Sequence, residues 1–137
     1  MSRLNCWYIW PCKENNYSGR DLKIADIPSV YDCAGLVLCA LHDATDGGFD
    51  HRADWNAGMI MSHCEEVKPE DLWAGDLLFY GHGKNLITHV AIYIGTTRDP
   101  KGSVLSASGG TSSTTTVEKA RAIGARVRVH SDYKRLS

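Results

Sequence analysis

The spacing of apolar residues after position 32 predicts an amphipathic helix. Four apolar residues repeat at the spacing of one helical face: Leu36, Val37, Ala40 and Leu41. Asp32 is the expected N-cap, because its carboxylate can accept hydrogen bonds from backbone N–H groups two or three residues later. Gly47 and Gly48 form a loop signal, and we expect the helix to end there.

Shorter apolar runs in the second half of the chain predict strands. A turn at Gly75–Asp76 leads into the run 77–80, and 89–94 is the clearest strand because β-branched and aromatic residues dominate it. Residues 103–107 form the expected returning strand. Charged and apolar residues alternate over 126–130, which suits a half-buried edge strand.

The remaining segments predict minor elements between the helix and the strands. Short helices are expected near 54–63 and over 118–122, and the Ser/Thr/Gly-rich stretch 108–116 is expected to be an exposed loop. A helix followed by an antiparallel meander indicates an α+β fold. At 137 residues, the chain has the length of one domain, so we expect a single domain over 1–137.

Composition and charge exclude several classes of protein. With 43% hydrophobic residues, intrinsic disorder is excluded. The net charge of -1 lacks the basic excess of a nucleic-acid binder, so no nucleic-acid partner is expected. No apolar run approaches the ~20 residues of a transmembrane helix, and the N-terminus lacks the apolar core of a secretory signal. We therefore expect neither a membrane span nor a signal peptide.

The cysteines do not form a recognisable metal motif. Cys6 and Cys12 are six positions apart and His63–Cys64 is an adjacent pair, whereas structural zinc sites use cysteine pairs separated by two to four residues. We expect neither a metal nor another cofactor. The total of five is odd, so at least one thiol is unpaired in a monomer.

Cys33 and His89 are the candidates for catalysis. Cys33 follows the expected cap, in the first helical turn, where free N–H groups and the helix dipole stabilise a thiolate. The neighbouring Asp32 carboxylate opposes that effect, and a small buried core cysteine is the alternative interpretation. His89 begins the clearest strand and could act as a general base or as a hydrogen-bonded structural histidine.

Three segments, in order, resemble the motifs of the NlpC/P60 cysteine peptidases. Residues 31–37, Tyr-Asp-Cys-Ala-Gly-Leu-Val, resemble the nucleophile motif Asp-Cys-Ser-Gly. Residues 74–80 are similar to the family's Gly-Asp-Leu strand, and residues 89–95 to its His-Val-Gly-Ile-Tyr strand. Residues 8–10, Tyr-Ile-Trp, resemble the Tyr-Val-Trp segment that usually precedes the nucleophile.

The resemblance implies a papain-like core and assigns roles to four residues. Cys33 would attack a peptide carbonyl, and His89 would take and return the proton. The family usually has a histidine that orients the imidazole; Ser106 occupies that position here and is either the orienting group or a bystander. Tyr8 would help to hold the oxyanion or the substrate, unless it belongs to an aromatic core cluster.

The implied function is hydrolysis of amide bonds in the stem peptides of bacterial peptidoglycan. By resemblance, the bond joins D-glutamate to the diamino acid or lysine at position three. Without a signal peptide, the enzyme would be carried in a phage virion, with phage tail proteins as partners, or delivered by lysis or secretion machinery. The alternatives are a catalytically silent tail or wall-binding module, a secretion-system amidase effector, and an acyltransferase or deamidase that uses the same dyad.

Overall fold

The computed structural model describes residues 32–46, 55–83, 85–108, 110, 114 and 117–135. Contacts between Cα atoms divide the chain into two compact units. The first contains the described residues of Met1–Asp54 and Ala107–Arg128, and the second those of Trp55–Ser106 and Val129–Ser137.

The described residues form helices and strands in an α+β arrangement, as predicted. The elements in chain order are α1 (Cys33–Ala44), α2 (Ala57–Ser62), β1 (Leu77–Gly81), β2 (Ile87–Gly95), β3 (Ser103–Ser108), α3 (Val117–Ile123) and β4 (Arg126–His130). Two short 3₁₀ turns cover Pro69–Asp71 and Tyr133–Arg135. The strands form an antiparallel sheet in the order β1-β2-β3-β4, which confirms that β4 lies at an edge.

Helix α1 begins where the sequence predicts. Asp32 is its N-cap, and its Oδ1 accepts a hydrogen bond from the Gly35 N–H at 2.6 Å. The predicted single buried face is wrong, because the six consecutive residues 34–39 are all buried. The first half of α1 is therefore enclosed on every side. A helix surrounded by protein gains from apolar side chains at every position, so its buried residues need not follow a stripe.

The end of α1 differs from the prediction. The helix ends at Ala44, with Thr45 as its C-cap, before the glycines at 47–48 that were expected to stop it. Asp46 has a φ of 51°, so an aspartate adopts the left-handed conformation usually taken by glycine. Gly47 and Gly48 lie outside the described residues.

The second unit contains α2 and most of the sheet. Asn56 caps α2 by accepting from the Met59 N–H at 2.8 Å. Strands β1 and β2 pair with Leu78 opposite Ala91 and Tyr80 opposite His89. Their shared face packs into a core of three buried residues and four partly buried ones: Ala91, Tyr93 and Val104 with Leu72, Leu78, Tyr80 and Tyr133.

The stretch 108–116 is described at three positions, 108, 110 and 114, and two of these are buried although an exposed loop was expected. Strand β3 continues to Ser108, which is buried, and Thr114 is also buried. Arg128 Nε donates to Ser108 Oγ at 3.4 Å, so at least one hydroxyl of this stretch is used in the interior. Small hydroxyl side chains can be buried at little cost when they are hydrogen-bonded, and composition alone does not reveal that.

Candidate active site

Cys33 is the first residue of α1, in the first unit. Its thiol is half-buried, whereas Cys39, which lies further along α1, is fully buried. The two cysteines of α1 therefore have different surroundings, and the interpretation as an inert core residue suits Cys39. The Asp32 carboxylate that caps the helix immediately precedes Cys33 and is itself buried.

His89 lies on β2 in the second unit, directly opposite Tyr80 of β1. The centroids of the two rings are 5.8 Å apart, and the rings are tilted by 48°. His89 Nε2 is buried and forms no hydrogen bond with any described residue. The side chain is therefore held by packing at that end of the ring.

Ser106 lies on β3, also in the second unit, and is completely buried. The register pairs Ile92 with Leu105, so continuing the antiparallel ladder by one step places Ser106 opposite Ala91. Because alternate residues of a strand share a face, Ser106 lies on the same face as His89 and diagonal to it. No hydrogen bond joins them, since Ser106 Oγ also lacks a partner among the described residues.

One known family matches most of the chain. The model of the NlpC/P60 family matches residues 14–126, which is most of the chain and includes Cys33, His89 and Ser106. The chain belongs to the NlpC/P60 family. NlpC/P60 proteins are papain-like cysteine peptidases and amidases that generally act on the peptides of peptidoglycan. A comparison with curated proteins found no match.

The surroundings of His89 lower the pKa of its imidazole. Burial, with a smaller effect from the nearby His130, lowers the pKa of His89 to about 4. The imidazole of His89 in this NlpC/P60 chain is therefore neutral at pH 7. A neutral imidazole has a lone pair with which to accept a proton, whereas an imidazolium has none.

The structure places three of the four predicted site residues of this NlpC/P60 chain. His89 and Ser106 share a sheet face in the second unit, and Cys33 begins a helix of the first unit. Tyr8 lies outside the described residues. The sequence alone did not single out Tyr80, although it lies in a correctly predicted strand, because the strand register that pairs it with His89 is not visible in the sequence.

Metal-binding clusters and membrane-spanning helices are both absent from the part of this NlpC/P60 chain that the structure describes. No group of three or more His, Cys, Asp or Glu side chains is arranged there to hold a metal ion. None of the helices in those ranges has the length and apolar character needed to cross a membrane.

Proposed function

We propose that this chain is a cysteine hydrolase that cleaves amide bonds in the stem peptides of bacterial peptidoglycan. The observation that carries the proposal is the family match over residues 14–126, which includes both proposed catalytic residues, Cys33 and His89. The position of Cys33 at a capped helix N-terminus supports the same chemistry, because free N–H groups there stabilise a thiolate.

In the proposed mechanism, His89 removes the proton from the Cys33 thiol, and the sulfur attacks the scissile carbonyl carbon. The tetrahedral intermediate collapses to a thioester when His89 returns the proton to the leaving amine. Water, deprotonated by the same imidazole, then attacks the thioester carbonyl; the carbon–sulfur bond breaks, the free acid is released and the Cys33 sulfur takes the proton back from His89.

Backbone N–H groups at the start of α1 would stabilise the oxyanion of the tetrahedral intermediate. The N–H of Gly35 is committed to the cap, because it donates to Asp32 Oδ1. We therefore assign the oxyanion to an N–H nearer the helix start, that of Cys33, with Tyr8 as a second group that contacts the oxyanion or the substrate. The proposed bond joins D-glutamate to the diamino acid or lysine at position three of the stem.

We propose that Ser106 orients His89 in place of the histidine that the family usually has. Its position on the same sheet face, diagonal to His89, supports this role. A hydroxyl can accept from an imidazole N–H, but it supplies no charge. Ser106→Ala is expected to lower kcat about tenfold with KM unchanged. Ser106→His, which introduces the side chain that the family usually has, is expected to keep kcat at the parent value. Parent kcat in Ser106→Ala would make Ser106 a bystander.

Digestion of purified peptidoglycan tests the proposed function. The parent protein, Cys33→Ala and His89→Ala are each incubated with muropeptides, and the fragments are identified by mass spectrometry. The expected result is release of the fragment that ends in D-glutamate by the parent protein and a loss of roughly 10³-fold or more in both variants. Cys64→Ala and His82→Ala are matched controls, because both side chains are exposed and neither has a proposed role.

A second candidate is a catalytically silent binding or structural module that keeps the fold. One observation favours it: neither Ser106 Oγ nor His89 Nε2 forms a hydrogen bond among the described residues. Alkylation by iodoacetamide distinguishes the two candidates. In an enzyme, Cys33 is expected to react at neutral pH at least tenfold faster than the exposed Cys64, whose thiol pKa is raised by partial burial. Equal rates at the two thiols would favour the silent module.

We propose delivery to the cell wall by a phage virion, by lysis or by secretion machinery. Mass spectrometry of purified virions tests the first route, in which tail proteins are partners. Finding this chain only in secretion-system supernatants, together with an immunity protein encoded beside it, would support an amidase effector instead.

A further inference from the structure

An aromatic residue that the proposed chemistry does not use lies directly against His89. Tyr80 is the cross-strand partner of His89, and their ring centroids are 5.8 Å apart. Directly opposed side chains on one sheet face are close enough to restrict each other's rotamers. The Tyr80 ring on β1 therefore packs beside the His89 imidazole.

The ring of Tyr80 is itself held in place. Its hydroxyl donates to the backbone carbonyl of Tyr133 at 2.7 Å. Burial, with a smaller electrostatic effect from Tyr133, raises the pKa of Tyr80 to about 12, so the phenol remains a protonated donor at physiological pH. The ring has a packing contact at one edge and an anchored hydroxyl at the other end.

Tyr133 is a fixed anchor for this hydroxyl. Its N–H donates to the Gly102 carbonyl at 2.9 Å. Its ring packs edge-on against Tyr93, with centroids 5.7 Å apart and an interplanar angle of 85°. The carbonyl that receives the Tyr80 hydroxyl thus belongs to a turn that is bonded and packed against the sheet of the same unit.

We propose that Tyr80 is a positioning residue for His89: its ring fixes the orientation of the imidazole, and Tyr133 anchors that ring. His89 Nε2 has no hydrogen bond among the described residues, so packing determines the orientation of the ring at that end. The consequence for catalysis rests on the proposed function, because a base that is misplaced by about 1 Å can lose roughly 10²-fold in rate. The geometric part of the proposal does not depend on activity.

Nuclear magnetic resonance of the His89 ring tests the geometry. The ring ¹³C–¹H signals are recorded in Cys33→Ala protein and assigned by their loss in His89→Gln. Tyr80→Leu removes the aromatic ring that packs against His89. Tyr80→Phe keeps the ring and removes only the hydroxyl that donates to the Tyr133 carbonyl. We expect Tyr80→Leu to raise the midpoint of the His89 titration by about one pH unit, because the ring gains solvent, and Tyr80→Phe to cause a smaller shift in the same direction. Tyr93→Phe is the matched control, since it removes a neighbouring hydroxyl without touching His89.

Kinetics test the consequence for the reaction. In protein that retains Cys33, we expect kcat to fall about 10- to 100-fold in Tyr80→Leu and about 3- to 10-fold in Tyr80→Phe, with KM unchanged. Unchanged His89 signals in both Tyr80 variants would overturn the positioning role whatever the activity. If Tyr80→Leu does not fold, unchanged His89 signals in Tyr80→Phe are enough to overturn it. Shifted His89 signals in a protein that cleaves no stem peptide would support the positioning role and defeat the proposed function alone.

Discussion

At the scale of single residues, Asp32 has two opposite effects on Cys33. Its carboxylate caps α1 and so fixes the helix start at which the thiol lies. The same negative charge, adjacent in sequence, disfavours a thiolate at Cys33. Substitutions that separate the cap from the charge can measure each effect.

Asp32→Asn is expected to retain the cap and remove the charge. Asparagine caps helices about as well as aspartate, so the free energy of unfolding should stay within about 0.5 kcal/mol of the parent value, whereas Asp32→Ala should lose about 1–2 kcal/mol. Cys33 in Asp32→Asn should be alkylated several-fold faster at pH 7. Urea unfolding and iodoacetamide labelling measure the two quantities. Slower alkylation of Cys33 in an Asp32→Asn protein of unchanged stability would contradict this account of the charge.

His89 makes stability depend on pH. Its pKa in the folded protein is about 4 and its ordinary value is 6.5, so between these values the unfolded chain binds the proton first. The free energy of unfolding should therefore decrease as pH falls from about 6.5 to about 4. The contribution of His89 to this decrease is at most about 3 kcal/mol. Among the described residues, His130 and Tyr80 are titratable groups that interact with His89.

The matched variant for this pH dependence is His89→Gln. Urea unfolding at intervals between pH 4 and pH 7 should give a steeper loss of stability for the parent than for His89→Gln. Histidines that do not interact with His89 contribute equally to both proteins and cancel in the difference; because His130 does interact with it, the comparison is made in a His130→Gln background. Parallel curves for the two proteins would show that the folded and unfolded pKa values of His89 are the same.

At the scale of elements, Gly102 determines how the turn at Tyr133 packs. Its φ is 91°, and a Cβ there would lie 2.7 Å from Tyr93 Cε1 and 3.0 Å from Tyr133 Cδ1. The residue therefore has to be glycine for two reasons, backbone conformation and close approach of two rings. The rings concerned are those that hold the anchor of Tyr80.

Gly102→Ala is expected to destabilise the protein by about 2–4 kcal/mol, through left-handed strain together with overpacking. Gly75→Ala is the control, because Gly75 has a φ of 104° but nothing within 4 Å of the added Cβ. The difference between the two variants in urea unfolding isolates the packing contribution. Equal losses would mean that the tyrosine rings move aside freely.

The sequence predicted the elements better than their surroundings. Helix α1 and strands β1 to β4 follow from apolar spacing and turn residues, because those signals are local. The burial of Ser108 and Thr114 was missed, since residue type does not show which segments a chain packs over. The pairing of Tyr80 with His89 depends on strand register, which the whole sheet determines.

At the scale of the whole molecule, the motif order led to the correct family. Cys33, His89 and Ser106 all lie within the residues that the NlpC/P60 model matches. The structure adds what single motifs do not contain. Cys33 is half-buried whereas Cys39 is fully buried, and the neutral imidazole of His89 packs against the Tyr80 ring. The joint action of Cys33 and His89 remains a prediction, because each lies in its own unit of the described structure.

A double-mutant comparison tests that joint action most directly. Rates of fragment release from muropeptides are measured for the parent, Cys33→Ala, His89→Ala and the double variant. Residues that act as one catalytic unit give non-additive losses, so each single variant should lose roughly 10³-fold or more and the double variant no more than either. Losses that multiply in the double variant, or parent rates in either single variant, would contradict the account.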